Sequence, residues 1–79
     1  MINVKNKAIV KAVGTKIREF RLNAGMSQEE LAYEADVPIS QIGRIERGET
    51  NPTISTMYVL AVALGQEMKD LVDIKIKGK

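Results

Sequence analysis

The side chains of this chain that could do chemistry offer hydrogen bonds and positive charge rather than a paired nucleophile and base. The 79 residues include no cysteine and no histidine, which excludes disulfides, thiol catalysis, imidazole acid–base catalysis and zinc sites built from those residues. Ile42 and Ile45 recur at helical spacing and predict one buried helix face. The outward positions of that helix are Ile39, Ser40, Gln41 and Arg44. The guanidinium of Arg44 is planar and can donate two parallel hydrogen bonds to one partner.

An earlier helix must position this one, and its start is marked by a capping box. Ser27 and Glu30 have the spacing in which the serine oxygen accepts the Glu30 backbone N–H while the glutamate reaches back to Ser27. Met26 and Leu31 have the spacing of a hydrophobic staple, which sets the angle at which the chain enters the helix. The apolar stripe of this helix is narrow. We expect the helix to end near Ala35, where the turn described next begins.

The turn between the two helices is predicted by Asp36 and Pro38. Asp36 tolerates the left-handed conformation, and Pro38 disfavours helical backbone in the residue before it. The second helix is expected over residues 39–47, with Gly48 as its C-terminal stop. Two features weaken it, because Pro38 has no side-chain oxygen to cap the helix and Gly43 costs about 1 kcal/mol relative to alanine in a helix interior.

Three further helices flank this pair. The first spans residues 6–24, carries apolar side chains at helical spacing, and ends at Gly25. Thr53 is placed to cap a fourth helix that ends at Gly65, and a short fifth helix is expected over residues 67–72. The chain is therefore predicted to be an all-α domain of five helices.

The two tails alternate differently. Ile2 and Val4, and likewise Ile74 and Ile76, are separated by single polar residues, which is strand periodicity. The tails could form short β-segments, paired within one chain or across a dimer, or they could be frayed termini; the sequence leaves these alternatives open.

Composition sets the broad class. A chain of this length is expected to be one domain, residues 1–79, with the helix pair at 27–48 and short tails at 1–5 and 73–79. The formal charge of +2 and pI near 9.0 lean only weakly toward a polyanionic partner. No apolar run reaches membrane-spanning length, so we expect a cytoplasmic protein without a membrane partner. No cofactor or metal is expected, and a domain this small would gain stability from dimerisation.

The helix pair resembles the helix-turn-helix of phage repressors and Cro, the xenobiotic-response-element family. The resemblance covers roughly residues 13–72. The residues that carry its pattern are Gln28, Leu31, Ala32, Val37, Ile42, Ile45, Glu46 and Gly48. It implies a compact five-helix domain of the lambda-repressor type, in which the second helix of the pair enters the major groove of DNA.

The resemblance also implies a function. Such a protein would be a sequence-specific transcriptional regulator, acting as a repressor, that binds double-stranded DNA as a homodimer at a pseudo-palindromic operator and so associates with the nucleoid. Its two recognition helices would lie about 34 Å apart in successive major grooves. The alternative is a protein-interaction module, such as an antitoxin that binds a toxin, which the acidic residues Glu29, Glu30 and Glu34 support. Enzymatic activity is the least favoured class.

The resemblance assigns expected roles residue by residue. Gln28 would bind a phosphate at its helix N-terminus, the alternative being an ordinary surface glutamine. Ile39, Ser40 and Arg44 would project into the groove with Gln41 close behind. Arg44 would read guanine, and Ile39 would meet a thymine methyl group unless it packs back against the fourth helix or the loop.

Residues after the second helix are expected to hold a second phosphate. They are Arg47, Asn51 and Thr53, although capping alone would explain Thr53 and Arg47 could be a solvated charge at a helix C-terminus. The resemblance further implies a partly buried ion pair between Arg21 and Glu46, the alternative being two exposed surface charges.

Overall fold

Five helices make up the part of the chain that the computed structural model describes, residues 6–75. They are α1 (Lys7–Asn23), α2 (Gln28–Ala35), α3 (Ile39–Glu46), α4 (Ile54–Leu64) and α5 (Met68–Leu71). The predicted all-α class is confirmed, and each helix lies within two residues of its expected bounds.

Side-chain oxygens cap the first turns of α1 and α2, and the predicted capping box at Ser27 is present. The Asn6 side chain accepts the Ile9 backbone N–H at 3.1 Å at the start of α1. At α2 the capping box is complete: Ser27 Oγ accepts the Glu30 N–H at 3.0 Å, and the Ser27 N–H donates to Glu30 Oε1 at 2.7 Å. These bonds satisfy backbone donors that have no partner inside the helix. α3 begins after a proline, Pro38, which makes no side-chain cap hydrogen bond.

Four helices end in a closed turn with one residue in the left-handed conformation. Gly25, Gly48 and Gly65 end α1, α3 and α4, while Asp36, with φ of 57°, ends α2. In each case the next residue donates its N–H back across the last helical turn, as Glu49 does to the Arg44 carbonyl at 2.8 Å. This is the Schellman arrangement, which satisfies terminal carbonyl groups and reverses the chain in a fixed direction.

The core is aliphatic and lies between α1, α2, α3 and α4, with α5 closing one end. α1 packs against α3, α2 packs against both α3 and α4, and α5 packs against α4 and α1. Its largest fully buried side chains are Ile17, Leu31, Ile42, Ile45, Leu60 and Leu71. Because each of the five helices contributes at least one side chain to this core, the orientation of α3 depends on how its neighbours pack.

Gly14 lets α1 lie directly against the backbone of α3. A Cβ at this position in α1 would overlap the backbone carbonyl oxygen of Ile45 and would lie 3.1 Å from that of Glu46. Where the chain leaves α3, a Cβ at Gly48 would lie 2.9 Å from the Lys11 Cα. The sequence pattern identified Gly48 as a helix stop and gave no role to Gly14, because the crossing of α1 over α3 is a long-range contact.

The predicted tail strands are only partly within the described residues. Ile2, Val4 and Ile76 lie outside them. Ile74 is described; it packs half-buried against the core, and its N–H donates to the Val72 carbonyl at 2.9 Å. No strand occurs within residues 6–75, and the predicted pairing of the two tails involves residues outside that range.

The contact at Gly14 predicts a contrast between two glycine substitutions. Gly14→Ala should lower the free energy of unfolding by about 2–3 kcal/mol, because the added methyl group meets backbone that cannot rotate away. Gly43→Ala, in the interior of α3, is the matched control, because its Cβ would meet only the far end of the Arg47 side chain at 3.0 Å. It should be neutral or stabilising by up to about 1 kcal/mol. Urea denaturation measures both, and equal effects would contradict the proposed crossing.

Candidate nucleic-acid interface

One face of α3 is exposed and carries the groups that the sequence placed outward. Ile39 is 47% exposed, Ser40 and Arg44 are exposed, and Gln41 is half-buried. On the opposite face Ile42 and Ile45 are each 1% exposed. An isoleucine with half its surface in water beside a hydroxyl and a guanidinium makes a mixed apolar and hydrogen-bonding surface. Such a surface matches the methyl groups and acceptor atoms that line a major groove.

Arg21 of α1 and Glu46 of α3 form a buried ion pair behind this face. Arg21 Nε donates to Glu46 Oε2 at 2.6 Å and Arg21 Nη2 donates to Glu46 Oε1 at 3.0 Å. The third nitrogen, Nη1, donates to the Met26 carbonyl at 2.9 Å. The guanidinium therefore ties together α3, α1 and the turn that leads into α2. Its two parallel bonds fix the direction of the pair as well as its distance.

Burial of this pair is compatible with both charges because their hydrogen bonds are made. The bonds to Glu46 raise the pKa of Arg21 above its ordinary value, against the opposing effect of burial. In the described residues no buried side-chain nitrogen or oxygen lacks a hydrogen-bond partner. Arg21 thus keeps its charge in the folded protein, and its bonds to Glu46 restrain α3.

Gln28, predicted to bind a phosphate, also contacts this ion pair. Its Nε2 donates to Glu46 Oε1 at 3.0 Å, and the side chain is half-buried. This contact fixes the first turn of α2 relative to the end of α3. The amide nitrogen of Gln28 carries two N–H groups, so the one that does not bond to Glu46 can still donate to a phosphate. The sequence did not predict the bond to Glu46, which joins residues 18 apart in the chain.

The flank after α3 contains the other predicted contacts. Thr53 caps α4, since its Oγ1 accepts the Thr56 N–H at 3.1 Å, and Asn51 is exposed. Arg47 is exposed and pairs with Glu49: the Nε–Oε2 distance is 2.8 Å and the Nη2–Oε1 distance is 3.2 Å. The sequence analysis gave no role to Glu49. The glycine at 48 is the signal that could have indicated it, because the reversed chain after a Schellman turn returns toward the helix end.

Neither a metal site nor a membrane-spanning helix occurs in the described part of the chain. Within residues 6–75, no group of three or more histidine, cysteine, aspartate or glutamate side chains could hold a metal ion. None of the helices described is both long enough and apolar enough to cross a membrane.

Comparison with known proteins adds independent findings. A family model described as helix-turn-helix (HTH_3) matches residues 17–71. The control protein C.BamHI of Bacillus amyloliquefaciens is 41% identical over 66 residues, which are 82% of this chain and 82% of that protein. An uncharacterized HTH-type transcriptional regulator of Archaeoglobus fulgidus is 40% identical over 57 residues, 72% of this chain and 81% of that protein.

A solved structure gives the same result. The restriction-modification controller protein C.AhdI from Aeromonas hydrophila superposes with a TM-score of 0.77 at 35% identity, covering 78% of this chain and 94% of that chain. The match therefore includes both the helix pair and the flanking helices.

The ion pair predicts that two arginines of α1 contribute very differently to the free energy of unfolding. Arg21→Met should lower the free energy of unfolding by about 3–5 kcal/mol, because Glu46 is left buried without its partner. Arg18→Met, on the exposed surface of the same helix, is the matched control and should change it by less than about 0.5 kcal/mol. Adding Glu46→Leu to Arg21→Met should recover part of the loss. Urea denaturation at neutral pH tests this, and equal losses for the two single variants would contradict a structural role for the pair.

Proposed function

This chain belongs to the helix-turn-helix (HTH_3) family of DNA-binding transcriptional regulators, and we propose that it binds a pseudo-palindromic operator as a homodimer. In this proposal α3 enters the major groove and α2 lies across the phosphate backbone. The proposed activity is binding and involves no catalytic step. Its site of action would be the cytoplasmic chromosome.

The exposed face of α3 is the observation that carries the proposal. Its side chains are of the types that distinguish base pairs: the guanidinium of Arg44 can donate two bonds to guanine O6 and N7, and the apolar end of Ile39 can meet a thymine methyl group. The Arg21–Glu46 pair holds this helix by its far end. A helix held in this way can present base-reading groups without first becoming ordered, which lowers the entropic cost of binding.

Dimerisation is supported by apolar surface on other helices. Ile54 is 74% exposed and Tyr58 is 58% exposed, both on α4, and Ile9 and Val72 are also exposed. Large apolar side chains on the surface of a small protein favour burial against a partner. A symmetric dimer would place the two α3 helices about 34 Å apart, which is one turn of DNA.

The relatives suggest which genes are regulated. C.BamHI is a control protein and C.AhdI is a restriction-modification controller. We extend that role to this chain as a proposal: it would control the genes of a restriction-modification system.

A second candidate function is binding of a basic protein partner, such as a toxin. Glu29, Glu30 and Glu34 border a surface groove on α2, beside Tyr33, which is 84% exposed. An acidic surface with a projecting aromatic ring suits a basic peptide surface. In this alternative the α3 face would have no role, and substitutions on it would leave partner binding unchanged.

Salt dependence of binding to DNA separates these functions. The regulator should bind some genomic duplex fragments more tightly than others, with an affinity that falls steeply as salt rises, because phosphate contacts release counterions. Fluorescence anisotropy of labelled fragments measures this. The regulator proposal would be contradicted by absence of binding at low salt or by equal affinity for every fragment.

Two arginine substitutions should have different effects on DNA recognition. Arg44→Ala should reduce discrimination at one base pair by about 1–3 kcal/mol while other positions keep their preference. Arg47→Ala should weaken binding to all sequences alike and reduce the salt slope by about 1, because it removes a phosphate contact. A panel of duplexes with single base changes measures both effects. If both variants weakened every duplex equally, Arg44 would not be a base-reading residue.

A further inference from the structure

The guanidinium of Arg47 is already occupied by an anion in the DNA-free protein. Two of its nitrogens, Nε and Nη2, donate to the two carboxylate oxygens of Glu49, at 2.8 Å and 3.2 Å. This forked geometry is the one by which arginine binds a phosphate group. Both side chains are more than half exposed, at 59% and 53%. The pair therefore lies at the surface, where a nucleic-acid phosphate could reach it.

The backbone holds Glu49 in this position. Its N–H donates to the Arg44 carbonyl at 2.8 Å, and Gly48 adopts φ of 76°. The Schellman turn therefore brings residue 49 back beside the last turn of α3. On the other side, Gly43 provides space for the guanidinium, since a Cβ there would lie 3.0 Å from Arg47 Nη1. Local structure thus favours the pair before any ligand arrives.

We propose that Glu49 is an autoinhibitory residue that competes with DNA phosphate for Arg47 and so lowers affinity for all duplexes. The inference rests on the proposed DNA-binding function. When DNA binds, Arg47 exchanges the carboxylate for a phosphate oxygen, and Glu49 loses its partner. The hydrogen bonds from Arg47 lower the pKa of Glu49, and the positive charge of Arg44 adds a smaller effect in the same direction. The carboxylate is therefore ionised and competing at neutral pH.

Glu49→Gln tests the proposal, because it keeps the shape of the side chain and removes its charge. It should bind a nonspecific duplex about two- to fivefold more tightly at low salt, the range that corresponds to an exposed ion pair. The fall of affinity with salt should be steeper than in the wild-type protein, because rising salt also weakens the Arg47–Glu49 pair that the wild-type protein must break to bind. A selected duplex should gain by the same factor, because the contact is to phosphate.

Glu19→Gln is the matched control. Glu19 is exposed on α1 and borders a groove with Lys16 and Lys75, away from the α3 face. Glu19→Gln changes the net charge by the same amount as Glu49→Gln, so its effect on DNA affinity measures long-range electrostatics alone. Equal effects of Glu19→Gln and Glu49→Gln would overturn the proposal, and so would weaker binding by Glu49→Gln.

A double-mutant cycle identifies Arg47 as the residue through which Glu49 acts. In an Arg47→Ala background, Glu49→Gln should tighten binding no more than Glu19→Gln does. Persistence of the full two- to fivefold gain in that background would contradict competition for Arg47 and would indicate direct repulsion between Glu49 and DNA.

Titration of the Glu49 carboxyl group by NMR tests the pair without DNA. The pKa should lie below the ordinary value of glutamate in the wild-type protein and should return toward it in Arg47→Ala. An ordinary pKa in the wild-type protein would overturn the inference even if the protein binds DNA. A lowered pKa in a protein that binds no duplex would instead contradict the proposed function.

Discussion

The buried side chain of Glu46 is the constraint on which the exposed face of α3 depends. It accepts hydrogen bonds from Arg21 on α1 and from Gln28 on α2 while lying at the last turn of α3. A buried charge is costly unless it is paired and hydrogen-bonded, so the helices that supply its donors must remain in place. Three helices are thereby oriented by one side chain. The side opposite the core is then free to present Ile39, Ser40 and Arg44.

Close backbone packing adds a second restraint on α3. Gly14 lets α1 approach the carbonyl groups of Ile45 and Glu46, which are the residues just before the helix ends. A glycine crossing fixes the distance between two helices, whereas a salt bridge fixes their relative direction. Since both restraints act on the C-terminal half of α3, its exposed N-terminal half is held rigidly although Pro38 provides no side-chain cap. Rigid support of this kind would make the proposed base contacts selective.

The helix ends could be predicted from the sequence because they depend on neighbouring residues. Ser27 and Glu30 lie three residues apart, and Asp36 and Gly48 act on the turn that contains them, so local rules apply. The roles of Gly14, Gln28 and Glu49 could not be predicted in this way. For Gly14 and Gln28, the partner lies on another helix and its position depends on the whole core. For Glu49, the pairing required knowledge of the path of the chain after Gly48.

The central claim is that α3 reads base edges from the major groove, with Arg44 contacting a guanine. Methylation interference tests it most directly, because N7 of guanine lies in the major groove and is the acceptor that an arginine fork uses. The account predicts that N7 methylation at one guanine in each half-site abolishes binding by the wild-type protein and has little effect on Arg44→Ala. Equal interference for both proteins would contradict the claim, as would interference confined to the minor-groove N3 of adenine.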